Sequence, residues 1–130
     1  MNKVTALLHK LMAGWAANCA EHVLSIFEDK YPNDLRPRQA IEATRLWVNE
    51  EIKISEARKF AFGAHAAARD AQDPKAKAAA RSAGHAAATP HVPGHAKYAA
   101  SYARKAAPDP VTENIWQLQN IPESIRSLIY

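Results

Sequence analysis

Histidine is the residue type in this chain best suited to binding a metal or moving a proton, and four of its six histidines lie in one alanine-rich stretch, Ala57–Ala107. His91 and His95 are four positions apart, the spacing at which two side chains share a helix face. His85 precedes them, and His65 lies further upstream. One hypothesis is therefore a metal or small-ligand site at His65, His85, His91 and His95, in which His85, His91 and His95 would be the metal ligands.

The residues inside the His91–His95 pair argue against a metal centre. A metalloprotease helix carries a glutamate between its two histidines, whereas Val92, Pro93 and Gly94 stand here. The proline indicates that His91 precedes the helix, so that the two rings diverge. We therefore expect a structural or capping role for these histidines, and neither a metal nor another cofactor.

A second polar pattern links two predicted helices. His65 and Arg69 are four residues apart, and so are Arg81 and His85. If these helices are antiparallel neighbours, the four side chains could form one polar seam, with Thr89 and His91 at its mouth. The seam would supply hydrogen bonds to buried imidazoles, or it would line a small pocket or a contact surface.

Catalytic chemistry has no support elsewhere in the chain. There is no glycine-rich phosphate loop, no nucleophile elbow and no Cys-x-x-Cys pair. The acidic residues Glu42, Glu50 and Glu51 fall on the polar side of a predicted helix, not in the desolvated setting that tunes a catalytic acid. Cys19, the single cysteine, fits a buried helix face and has no partner for an internal disulfide, which suits a cytoplasmic protein. The sequence predicts a protein that is not an enzyme.

Alanine at helical spacing between proline-marked breaks predicts a compact all-α bundle of about five to seven helices with an alanine-rich core. No segment alternates with period two, so no sheet is expected. The first helix should run unbroken from about Lys3 to Glu28. The later helices should begin at Arg36-Pro37, around Ser55 as an N-cap, at Pro74 with Asp73 as its cap, after Gly94, at Pro110 with Asp109 as its cap, and at Pro122.

Length and charge limit the classes of partner. At 130 residues the chain is expected to form a single domain over 1–130. It has no apolar run near the ~20 residues of a bilayer span, so no membrane partner is expected. The net charge of +4 and pI of about 9.3 point to acidic partners. Because there is neither a basic arm nor an aromatic-rich β-surface, we expect no nucleic-acid binding.

The C-terminal helix carries an aromatic residue away from its predicted core face. Val111, Ile115 and Leu118 share a face that should point inward, which leaves Trp116 about 100° away on a 3.6-residue helix. A Trp116–Tyr130 patch would suit a protein interface, so a homodimer through this region is a further prediction.

Three segments of the chain carry a family resemblance: WAANCAEHVLSIFE at Trp15–Glu28, RPRQAIEATRLW at Arg36–Trp47, and AHAAARDA followed by AAARSAGHAAATPHVPGHAKYAASYARKA. They are similar to the immunity-five-like domain of bacterial polymorphic toxin systems. The resemblance covers about residues 5–107. Its most specific pieces are the Trp-Ala…Cys-Ala-Glu start, the Arg-Pro-Arg helix opening and Gly84-His85…Thr89…His91. The residues from about 110 to 130 form a helical extension beyond it.

This resemblance implies a small cytoplasmic protein without catalytic activity that binds a cognate toxin domain and blocks it sterically. The positions that match the distinctive pattern, and so the candidate partner-binding residues, are Arg36, Arg38, His85, Thr89 and His91. Inhibitors of nucleases tend to be acidic, whereas this chain is basic. We therefore expect a toxin partner with an acidic or apolar surface, or docking through the local acidic face of Glu42, Glu50 and Glu51.

Overall fold

The computed structural model describes residues 2–130, which form eight α-helices and no strand. The helices are α1 (Lys3–His22), α2 (Leu24–Glu28), α3 (Arg36–Val48), α4 (Ile54–Asp70), α5 (Pro74–Ala88), α6 (His95–Ala106), α7 (Pro110–Asn120) and α8 (Glu123–Ile129). The all-α class is confirmed. The prediction of five to seven helices was one too low, because the first predicted helix is two helices.

The break in that first helix falls at Val23. Its backbone leaves the helical region (φ −114°, ψ 4°), and its N–H donates to the carbonyls of Ala20 and Glu21 at the end of α1. Val23 is itself buried, and the break is followed by Leu24 and Phe27, which are buried where α2 packs against α5. The apolar periodicity runs through the break and hid it, because hydrophobic side chains continue on both sides.

Aspartate–proline pairs start α5 and α7 as predicted. An Asp73 carboxylate oxygen accepts from the N–H of Ala76 at 2.9 Å, and Asp109 accepts from the N–H of Val111 at 3.1 Å. Helix α4 begins at Ile54, one residue from its predicted start, but the prediction of Ser55 as its N-cap was wrong. Lys53 is the N-cap there, and its N–H donates to the Glu56 side chain at 3.2 Å, so that Glu56 caps the helix in place of a serine hydroxyl.

Helix α5 lies at the centre of the molecule, because its many alanines allow other helices to pack closely around it. It packs against α1, α2, α3, α4 and α6. More than half of its residues are buried, all of them small: Ala76, Ala78, Ala79, Ala80, Ser82, Ala83, Gly84, Ala86 and Ala87. Small side chains let neighbouring helix backbones approach closely. One such approach is marked by the Ser82 hydroxyl, which donates to the Ala99 carbonyl on α6 at 2.7 Å.

The two largest fully buried side chains, Trp15 and Phe27, belong to α1 and α2. Trp15 is buried, and its indole N–H donates to the Gln117 carbonyl at 3.2 Å, tying α1 to α7. Cys19 is fully buried as expected, and burial, reinforced by the charge of Glu113, raises the pKa of its thiol well above the usual range. The thiol is therefore held protonated and unreactive.

Helix α7 packs with its polar side inward, contrary to the prediction. Val111 is 70% exposed and Ile115 51% exposed, whereas Glu113 and Gln117 are buried. The reason is the set of polar partners beneath α7. Gln117 accepts from Arg104 at 2.9 Å and donates to the Ala100 carbonyl at 2.9 Å.

Within residues 2–130, no helix combines the length and the apolar character that crossing a bilayer requires.

Candidate functional site: a histidine cluster beside a basic groove

Three helices bring histidine and tyrosine rings together at one place on the surface. His65 comes from α4, His85 from α5, and His95, Tyr98 and Tyr102 from α6; these five residues are here called the histidine cluster. His85 is central, with its ring 4.9 Å from that of His65, 5.2 Å from His95 and 5.3 Å from Tyr102, on which it stacks. The predicted polar seam between the two helices therefore exists, and α6 completes it.

The hydrogen bonds of the cluster require that His65, and at least one of His85 and His95, be neutral. Arg81 donates to His65 Nδ1 at 2.8 Å. Because a guanidinium cannot accept, His65 must accept through Nδ1 and carry its proton on Nε2. His85 and His95 face each other through their Nδ1 atoms at 2.9 Å, so that one of the two donates and the other accepts. Arg69, the other arginine of the predicted seam, is exposed.

The electrostatic setting keeps these rings neutral. Burial lowers the pKa of His65 to about 4, and the positive charge of Arg81 adds to this effect. Burial likewise lowers the pKa of His85 to about 4, with His65 and His95 contributing. The pKa of His95 is also lowered by burial. Near neutral pH the cluster is a set of polar, uncharged rings.

Glycine 84 makes room for the His65 ring. A Cβ atom built on Gly84 would lie 2.6 Å from His65 Nε2 and 2.7 Å from its Cε1. Only a residue without a side chain lets the imidazole lie flat against α5 at this point. Gly84 therefore belongs to the cluster as a positioning residue.

A groove about 480 Å³ in volume runs alongside the cluster, between the start of α5 and the end of α6. It is called the basic groove here, and it is lined by Pro74, Lys75, Lys77, Ala78, Arg81, Tyr102 and Lys105. Arg81 and Tyr102 belong to both places, because Arg81 binds His65 and Tyr102 stacks on His85. The groove and the cluster are therefore one continuous surface.

A larger depression, of about 530 Å³, lies across α1 and the end of α3. Its walls include Leu11, Trp15 and Val48, and it brings no cluster of titratable groups together. The two cations at its rim are neutralised, since Lys10 pairs with Glu50 at 2.7 Å and Arg45 with Glu21 at 2.7 Å.

The two arginines predicted to bind a partner lie at the start of α3 and are engaged within the chain. Arg36 contacts Asp34 at 2.8 Å and Asp70 at 2.9 Å, which joins α3 to the end of α4. Arg38 makes a two-point contact with Glu28, at 2.8 and 2.6 Å. Both arginines remain partly exposed, and the structure does not bring them into the histidine cluster.

The other predicted residues separate into different environments. His85 is the centre of the cluster. Thr89 is fully buried, its hydroxyl donating to the His85 carbonyl at 3.0 Å and its own carbonyl lying 2.7 Å from His9 Nε2. His91 is exposed. Because Thr89 is buried, it can affect a partner only indirectly, through its contacts with the His85 backbone and the His9 ring.

Of the three histidines in the metal alternative, His85 and His95 lie together, with their Nδ1 atoms 2.9 Å apart, and His91 is exposed in the turn before α6. Within residues 2–130, no three side chains among His, Cys, Asp and Glu are arranged to hold a metal ion.

Trp116 and Tyr130 have separate partners. Trp116 stacks on His22, with ring centres 3.6 Å apart and planes within 2°. Tyr130 meets Trp15 edge-on at 6.2 Å. Dimerisation through this region stays a prediction.

The basic groove was missed by sequence reasoning, which used the net charge of the chain and not the positions of its cations. The signal that could have revealed it is an absence: between Pro74 and Pro108 the sequence contains no aspartate or glutamate at all.

Comparison with known proteins identifies the family. The family model described as Imm-5 like putative immunity protein matches residues 2–124. The chain belongs to this family. The match reaches past the region 5–107 that carried the sequence resemblance, so that α7 and the beginning of α8 are part of what the family shares. Searches of curated proteins and of solved structures found no match.

Proposed function

We propose that the protein is an immunity protein that binds a cognate bacterial toxin domain and neutralises it by covering its active site or its substrate access. The observation that carries this proposal is the family match over residues 2–124, nearly the whole chain. In this proposal the protein acts in the cytoplasm of the cell that it protects, as a stoichiometric binder and without catalysis of its own.

The chemistry of the described residues supports binding over catalysis. The Cys19 thiol is fully buried. His65 and His85 are neutral and tied to neighbouring side chains. Glu113, the one buried carboxylate among residues 2–130, is engaged by His22 at 2.7 Å. A nucleophile or general base needs a free, accessible position in a cleft, which these groups do not have.

The candidate partner residues fit a docking area that begins near the α4–α5 turn. Arg36 reaches Asp70 at the end of α4, and the Tyr31 hydroxyl accepts from the N–H of Gln72 at 2.9 Å in that turn. Pro74, which follows the turn, is the first residue of the basic groove. We propose that the toxin contacts the exposed parts of Arg36 and Arg38 together with the surface around His85.

The experiment has two stages. Tagged protein is recovered from a lysate of its native bacterium, and the stoichiometric partner is identified by mass spectrometry. That partner is then expressed in a heterologous host with and without this chain. We expect growth arrest with the partner alone and restored growth with both. A partner that is harmless alone, or whose toxicity this chain does not relieve, contradicts the proposal.

A titration of the purified toxin separates binding from catalysis. If the complex is tight, steric neutralisation of the toxin is complete at about one equivalent of this chain. Complete neutralisation far below one equivalent would mean that each molecule of this chain inactivates many toxin molecules. The protein would then act as an enzyme and not as a stoichiometric binder.

A further inference from the structure

Positive charge is strongly segregated along this chain. Residues 74–108 contain six lysines and arginines and no aspartate or glutamate, whereas the rest of the chain contains eleven cations and thirteen carboxylates. The excess positive charge of the protein therefore belongs to the α5–α6 segment. The remainder is slightly acidic.

Three of the four cations of the basic groove are held in place by neutral groups. Lys75 Nζ donates to the carbonyls of Lys105 and Ala107 at 3.2 and 3.0 Å, at the end of α6. Lys105 Nζ lies 4.6 Å from the centre of the Tyr102 ring. Arg81 donates to a neutral imidazole. Carbonyls, an aromatic face and an imidazole fix the positions of these charges without cancelling them.

Four of the eleven cations outside this segment behave differently. Lys10, Arg36, Arg38 and Arg45 each contact a carboxylate within 3 Å. Among residues 2–130, none of the six cations of α5 and α6 takes part in an ion pair. The basic groove is thus a preformed site of uncompensated positive charge, with four cations around one concavity.

We infer that the basic groove docks an acidic patch of the toxin domain, with carboxylate side chains of the partner placed between Lys75, Lys77, Arg81 and Lys105. This inference rests on the proposed function and names the chemistry of its interface. Charges that are already positioned lose little conformational freedom on binding, and their field accelerates capture of a partner of opposite sign.

The surroundings of the groove favour carboxylates of a protein over the phosphates of a nucleic acid. The Tyr102 ring is stacked on His85 and covered by Lys105, so that it is not free to stack on a base.

The groove is tested with a fluorescein-labelled hexaglutamate peptide and with a duplex DNA oligonucleotide, by fluorescence anisotropy at low and at physiological ionic strength. The test variant is Lys77→Glu/Lys105→Glu, since neither lysine donates a side-chain hydrogen bond within the fold. The matched control is Lys30→Glu/Lys59→Glu, which makes the same change in net charge at exposed positions outside the groove. Circular dichroism verifies that both variants fold.

We expect the test variant to lose at least about tenfold in affinity for hexaglutamate and the control to lose less than about twofold, with binding weakened by salt. Equal losses in the two variants would show a general effect of net charge and overturn the inference. So would the absence of hexaglutamate binding to the wild-type protein, or tighter binding of the duplex DNA.

The same variants in the toxin complex separate this inference from the proposed function. We expect the test variant to associate with the toxin about tenfold or more slowly than the control. If the wild-type chain relieves toxicity but the test variant associates as fast as the control, the groove is not the docking site and the proposed function stands. If the wild-type chain relieves no toxicity, the proposed function fails and the toxin assignment of the groove fails with it, even if hexaglutamate binds.

Discussion

Two regions of this molecule, α1 with α3 and α5 with α6, differ in how their cations are partnered. In the region formed by α1 and α3, four of the five cations are paired with carboxylates, and the large side chains of Trp15 and Ile41 are buried. On the side formed by α5 and α6, alanines fill the core and the cations have no carboxylate partners among residues 2–130. Ion pairs within the first side hold helices together, whereas the second side keeps its charge available to another molecule.

The difference in core residues and the difference in charge have a common geometric origin. Helix α5 touches five other helices, so that most of its circumference must be small and apolar. Its long polar side chains are left at one edge, where Lys77 and Arg81 meet the end of α6. An alanine core thus concentrates the charged residues of a central helix into a narrow strip.

The largest effect should come from enlarging an alanine in α5. Ala83 is fully buried, and Ala83→Leu is expected to destabilise the protein by about 3 kcal/mol, because a close-packed interior cannot take the added volume without strain. The control is Lys77→Leu at an exposed position of the same helix, with an expected change of less than about 0.5 kcal/mol. Urea unfolding measures both, and equal effects would mean that α5 is not closely packed.

Acid should weaken the α5–α6 side before the α1–α3 side. The unfolded chain protonates its histidines near pH 6.5, whereas folding lowers the pKa of His65 and of His85 to about 4. Because the unfolded state then binds more protons, the free energy of unfolding falls as the pH is lowered from 6.5 towards 4.

Urea unfolding across that pH range provides the measurement. His65→Gln/His85→Gln should flatten the pH dependence, whereas His22→Gln, at the exposed histidine that pairs with Glu113, should leave most of the slope. A double variant with the wild-type slope would show that the acid sensitivity arises outside the histidine cluster.

Removing a paired cation should cost more stability than removing an unpaired one. Arg36→Gln breaks contacts with Asp34 and Asp70 and is expected to destabilise the fold by about 1 kcal/mol, the upper end for exposed pairs. Lys77→Gln should change stability by roughly zero or slightly raise it, since it relieves repulsion in the groove. The Asp34 carboxyl supplies a second measurement by NMR. Its pKa is held low by its hydrogen bond with Arg36 and should rise in Arg36→Gln. Equal losses of stability in the two variants would remove the distinction between the two sides.

The smallest net effect is expected at Gly84. Gly84→Ala pushes the His65 ring away from α5 and breaks its contact with Arg81, while alanine gains about 1 kcal/mol in helix propensity. The two effects offset each other in the free energy of unfolding. The NMR titration of His65 is the sensitive measurement, because a ring moved towards water should titrate closer to pH 6.5. An unchanged His65 titration would contradict the close approach of Gly84 and the ring.

Most of the fold followed from local sequence signals. Proline after aspartate fixed the starts of α5 and α7, and alanine periodicity defined α4, α5 and α6. Two errors in the predicted fold have one cause. Periodicity identifies the apolar face of a helix but not the groups against which that face packs. The apolar stripe continued through Val23 although the backbone breaks there. The apolar side of α7 was assigned to the core, but Arg104 and the Ala100 carbonyl below it select the polar Gln117 instead.

The candidate site was less accessible from sequence. The spacing of His65, Arg81 and His85 predicted their meeting, because it depends only on two adjacent antiparallel helices. The contribution of Tyr102 and the clustering of Lys75 and Lys105 depend on how α6 crosses α5, which no local pattern encodes. Thr89 illustrates the reverse case, a residue in a distinctive motif that the fold buries completely.

The alanine core also constrains how this protein can change over evolutionary time. A buried alanine of α5 or α6 has one smaller replacement, glycine, which weakens a helix by about 1 kcal/mol, and every larger replacement strains the packing. In a leucine-rich interior, one apolar residue can be replaced gradually by another. The alanine core of α5 and α6 does not tolerate such replacements. Adaptation to a changing partner would therefore have to proceed through exposed positions such as Lys77 and Lys105, on a backbone that stays the same.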